Sequence, residues 1–143
     1  MPTKIECIRG QIEDNLSEGN AIFVFELAKY RDILQSVGFH GNPVPVRKRE
    51  DGSLVVSVEQ SLACIDTEGE HSIKSLDELH ELLFATLDAF RKLGIKTVSM
   101  NGIKFYPDIS NSRRYQKQYV EEYVLQNPDA FDKICLVDLW GVF

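Results

Sequence analysis

Five residues have types and spacing suited to holding a small anion: Asn101, Gly102, Tyr106, Arg113 and Asp138. Asn101 offers an amide that both donates and accepts. Gly102 lets a ligand approach the backbone, and Tyr106 presents a ring face. Arg113 brings a planar, permanently charged donor fork, and Asp138 a carboxylate. Arg113 and Arg114 fall in the first turn of a helix expected to open at Ser110, where cations oppose the macrodipole by ~0.3–1 kcal/mol each. Either they meet a phosphate or carboxylate, or they pair with Asp108 or other surface acids, since 22 acids face 16 bases.

Residues for bond-breaking chemistry are not arranged for it. No serine lies in a G-x-S-x-G elbow, and neither a G-x-x-x-x-G-K nor a G-x-G-x-x-G run occurs. His40, His71 and His80 lack the spacing of a zinc site. Cys7, Cys64 and Cys135 form no C-x-x-C pair and read as reduced thiols serving as small core residues. Tyr115, Tyr119 and Tyr123 recur every four residues, which marks the packed side of a helix before it marks a ring-stacking site. The composition therefore implies no cofactor, no metal and no catalytic residue.

The elements that must position these groups follow from local pattern. Lys4 to Arg9 and Ala21 to Phe25 read as strands, with Leu27 to Val37 a helix closed by Gly38. Val44 to Arg49 and Ser53 to Val58 flank Glu50-Asp51-Gly52, a hairpin signal, and Ala63 to Ile65 reads as a short strand. Ser75-Leu76-Asp77-Glu78 is a capping box, followed by a stripe of Leu76, Leu79, Leu83, Leu87 and Phe90, with Gly94 as the stop. Ile95 to Met100 is a strand, Ser110 to about Gln126 a helix ending before Pro128, and Lys133 to Leu139 a strand. The unbroken run Ile134-Cys135-Leu136-Val137 predicts a strand covered on both faces. A helical crossover between the last two strands predicts a parallel pair. Their carboxyl ends then share one rim with Asn101, Gly102, Asp138 and, from the second strand, Glu26.

The chain of 143 residues fits one domain spanning residues 1–143, with 43% hydrophobic residues. A net charge of −6 disfavours a nucleic-acid partner. No apolar run is long enough for a membrane span, and the first residues lack a signal-peptide core, so a cytoplasmic setting is expected. The apolar end Leu139 to Phe143 is expected to pack on its own domain, with docking into a second copy as the alternative.

The order of elements resembles the macro domain, the ADP-ribose-binding α/β/α module. Lys4 to Ile12 is similar to that family's opening strand leading into Gly-Asp-Ile. Ser75 to Met100 is similar to its long helix and buried strand, and Tyr115 to Asp138 to its last helix and final strand ending in an acid. The resemblance implies a three-layer α/β/α fold with a mixed, largely parallel sheet, and a nucleotide-type ligand. The departures from that family weigh more than the matches. Gln11 stands where the family's adenine-reading aspartate falls. Phe23 to Leu27 replaces its Asn-Ala-Ala-Asn segment, and Asn101 to Pro107 is shorter than its glycine-rich phosphate loop. These differences imply a non-catalytic module binding a nucleotide or ADP-ribose-like anion. The alternative is a protein–protein interaction or structural module with no small ligand.

Overall fold

The computed structural model describes residues 2–16, 20–67, 72–103, 109–139 and 143, with side chains left out at 109 and 110. In chain order the elements are β1 (Lys4–Arg9), a 3-10 turn (Ile12–Asn15), β2 (Asn20–Val24), α1 (Leu27–Ser36), β3 (Arg47–Lys48) and β4 (Leu54–Val55). They continue with β5 (Leu62–Cys64), α2 (Leu76–Lys92), β6 (Thr97–Asn101), α3 (Ile109–Gln126) and β7 (Lys133–Asp138). The fold is α/β: five strands form one sheet in the order β1-β7-β6-β2-β5, and every pairing between them is parallel. The expected β6–β7 pair is present, in register from Thr97 opposite Lys133 to Asn101 opposite Val137. Among the described residues, no helix is long and apolar enough to cross a membrane.

Strand alternation divides the core into two clusters. Ala21, Phe23, Val98, Met100, Ile134 and Leu136 pack with Leu79, Leu83, Leu87 and Phe90 of α2 and with Val120 and Tyr123 of α3. Ile22, Val24, Cys135 and Val137 point the other way, into a cluster with Ile12 and with Tyr30, Ile33 and Leu34 of α1. Burial on both faces is what the apolar run in β7 requires. Each large side chain so buried contributes about 1.5–3 kcal/mol before conformational entropy is counted.

The capping box is formed with one difference. Ser75 accepts from the Glu78 amide at 3.2 Å, but the Glu78 carboxylate reaches past it to the Lys74 amide, at 3.0 Å. Gly94 follows α2 at φ +80°, the left-handed position a helix stop favours. Two expectations need correction. The hairpin pairs only Arg47 with Val55 and Lys48 with Leu54, because the amide of Val46 is committed to the Cys64 carbonyl at the edge of the large sheet, 2.6 Å away. Cys64 and Cys135 are buried, but Cys7 is exposed: it lies on β1, which has no outer strand among the described residues.

At the carboxyl terminus Leu139 is 49% exposed, whereas Phe143 is partly buried against the larger core cluster. The residues between, 140–142, lie outside the described segments.

Candidate functional site

Because β1, β7, β6 and β2 are adjacent and run the same way, their carboxyl ends meet along one rim. A cleft of about 270 Å³ opens there. Gly10, Val137 and Gly102 contribute to it from the strand ends, Gln11 from the 3-10 turn, Glu26 and Lys29 from the start of α1, and Arg113 from α3. Asn101 and Asp138 complete its polar lining.

Four of the five expected site residues are thus brought together: Asn101, Gly102, Arg113 and Asp138. The fifth, Tyr106, lies outside the described residues, as does Asp108. Arg113 meets Asp138, Nη1 to Oδ1 at 2.6 Å, with side-chain exposures of 8% and 5%. The partner is therefore a buried strand-end carboxylate and not a surface acid. Arg114 is exposed, its guanidinium 5.7 Å from the Tyr115 ring centre.

The floor of the cleft is held by a residue that sequence reasoning passed over. Gln116 is fully buried one turn beyond Arg113. Its Oε1 accepts from the Ile103 amide and its Nε2 donates to the Asn101 carbonyl, both at 2.9 Å. Between these two anchors lies Gly102. A Cβ there would sit 2.8 Å from Nε of Arg113 and 3.0 Å from its Cζ, so any side chain at 102 would have to displace the guanidinium that Asp138 holds. Asn101 links β6 to β2 by accepting, through Oδ1, from the Phe25 amide at 3.1 Å.

Electrostatically the cleft is balanced. Glu26 and Asp138 supply negative charge, Lys29 and Arg113 positive. Lys29 pairs with Glu13 at 3.2 Å, both side chains about a third exposed, and the second oxygen of Glu13 is buried with no hydrogen bond. Nε of Arg113 is likewise buried without a hydrogen-bond partner. Lys29 was not singled out from the sequence; its place three residues after Glu26, in the first turn of a helix following a strand, is the signal that could have found it.

The two buried thiols, His80 and Tyr123 are committed to packing. Burial, aided by the Asp66 carboxylate and partly offset by the Glu26 amide, pushes the Cys64 thiol far up, and burial also raises that of Cys135. A thiol held protonated is a poor nucleophile. His80 packs against Phe84 and Tyr119, with Nε2 at 3.2 Å from Glu122. Tyr123 is buried, packs edge-on to Phe84 and donates to Asp88 at 2.7 Å. Tyr119 and Tyr123 thus face α2. Among the described residues no group of three or more His, Cys, Asp or Glu side chains could hold a metal. No family model matches this sequence, and no curated protein matches it.

Proposed function

We propose that this chain is a non-catalytic binding module for a small anionic ligand of nucleotide type, built on a macro-like scaffold. The observation that carries this reading is the cleft where four parallel strands end together, lined by Gly10, Gly102 and Asn101 and closed at one side by Arg113. Such crevices outside the carboxyl ends of strands are where open α/β sheets bind ligands. The volume of about 270 Å³ is close to the lower end, roughly 300 Å³, of sites that enclose small molecules. No serine lies in a G-x-S-x-G elbow, and the two buried thiols among the described residues are held protonated, which favours binding over turnover.

A thermal-shift series with AMP, ADP-ribose and pyrophosphate at millimolar concentration tests this reading. A ligand present at 100 times its Kd adds about 2.7 kcal/mol to folding stability. A rise in melting temperature with at least one of the three is expected. No rise with any of them overturns the proposal.

A further inference from the structure

Beyond that reading, and independent of it, we infer a second site at the far end of α1: a cleft that takes a small organic oxyanion, a carboxylate or phosphate carried on an apolar body, held by Arg31. The 10 residues of α1 span about 15 Å and run back from the carboxyl rim toward the amino ends of the strands. At its close, the carbonyls that would oppose an anion are already engaged. Those of Ile33, Leu34 and Gln35 accept from the amides of Val37, Phe39 and Gly38, at 3.2, 2.9 and 3.1 Å. The Ser36 hydroxyl also donates to Ile33, at 2.6 Å. Beyond the stop the chain folds back onto the Phe39 ring, so closely that a Cβ at Gly41 would sit 2.8 Å from Cζ of Phe39. This fold-back sets His40 and Asn42 in one cleft with Arg31 and Gln35 of α1, about 340 Å³ in volume.

Charge decides what this cleft can hold. No carboxylate lines it, in contrast to the cleft of Glu26 and Asp138. Among the described residues, the side chains of Arg31, Gln35, His40 and Asn42 make no hydrogen bond and no ion pair. In a chain where 22 acids face 16 bases, an arginine left unpaired in a concave, acid-free place is the observation that carries the inference. Its planar fork matches the paired oxygens of a carboxylate or phosphate, and the Asn42 and Gln35 amides add further donors. A cationic ligand would meet Arg31 with no acid to offset it. Leu34, Phe39 and Pro43 supply an apolar lining for the rest of the molecule. At about 340 Å³ the space suits a ligand of roughly one ring, near the lower end of small-molecule sites.

Amide NMR titration of the full chain with benzoate, phenyl phosphate, neutral benzamide and inorganic phosphate, repeated on Arg31→Gln, tests the inference. Benzoate or phenyl phosphate is expected to shift the amides of Phe39 to Asn42 in a saturable way and to leave those of Asn101 and Gly102 in place. Which of the two binds more tightly tells carboxylate from phosphate. Benzamide, without the charge, and inorganic phosphate, without the ring, are each expected to bind more weakly. Arg31 is exposed and unpaired, so Arg31→Gln should leave the rest of the spectrum unchanged while weakening the tighter ligand by roughly tenfold, the loss of one charge-assisted contact. The inference is overturned by any of four results: no saturable shift in Phe39 to Asn42 with either aromatic anion, benzamide matching them, inorganic phosphate matching them, or unchanged affinity in Arg31→Gln. None of these results bears on nucleotide binding at the carboxyl rim, which the thermal-shift series reads separately.

Discussion

Nη1 of Arg113 lies 2.6 Å from Oδ1 of Asp138, joining the early turns of α3 to the last residue of β7. Both side chains are more than nine-tenths buried, so each charge depends on the other. Asp138→Asn leaves an uncompensated guanidinium in the interior and should cost about 3–5 kcal/mol. Arg113→Met combined with Asp138→Asn removes both charges and should cost clearly less than the single change. Urea denaturation of the wild type and the two variants reads this directly. Equal losses for Asp138→Asn and the double variant would show that the pair contributes nothing beyond packing.

The same guanidinium sets the identity of residue 102. A methyl group there would sit 2.8 Å from Nε, and the ion pair with Asp138 prevents the arginine from swinging aside. Gly102→Ala should therefore destabilise by about 1–3 kcal/mol, the usual cost of overpacking. In an Arg113→Met background the clash is with an unbranched, adaptable chain, and the cost should fall below ~1 kcal/mol. Thermal denaturation of the four members of this cycle supplies the coupling. Strict additivity would mean that the loop already yields to the methyl group.

Gln116 holds the loop from the other side. Replacing it with Leu preserves approximate volume but strips partners from the Ile103 amide and the Asn101 carbonyl. Each buried group left unsatisfied costs about 1–3 kcal/mol. The expected result is a loss of about 2–4 kcal/mol by denaturation, with faster hydrogen exchange at the Ile103 amide than at α2 amides. Protection at Ile103 unchanged in Gln116→Leu would show that the loop is fixed by other contacts.

What could be read from the chain depended on whether a residue's partners are local. The Ser75 cap and the Gly94 stop are set within a few residues, and both are present. The parallel β6–β7 pair was legible because a helix joins the two strands, and the unalternating apolar run Ile134 to Val137 fits a strand covered on both faces. The place of β1 beside β7, and of β5 beyond β2, was not legible, since neither strand carries a mark of its neighbour. Val46 shows the same limit: its amide joins the large sheet and shortens a hairpin that Asp51-Gly52 alone would have extended. At the site, Asn101, Gly102, Arg113 and Asp138 converge as their elements suggested. Gln116 looked like one more polar residue on a polar helix, because its value lies in two loop atoms it meets only after folding.

Alkaline pH should unfold the protein through groups that cannot ionise while buried. Burial, with smaller contributions from Cys64 and Glu59, raises the Tyr30 hydroxyl far above its ordinary value of 10.0. Burial together with its bond to Asp88 does the same for Tyr123, and the Cys64 thiol rises from an ordinary 9.0. All three folded-state values are raised, so the folded state retains protons that the unfolded chain releases. Stability is therefore fully present below about pH 9 and falls as pH climbs past the unfolded values. Each group adds a slope of up to about 1.4 kcal/mol per pH unit. Tyr123→Phe forfeits the hydrogen bond to Asp88, about 0.5–1.5 kcal/mol at neutral pH, but removes one of the three slopes. Urea midpoints measured from pH 7 to 11 should show the wild-type and Tyr123→Phe curves converging at the alkaline end. Parallel curves would mean that Tyr123 ionises as easily in the folded protein as in the unfolded one.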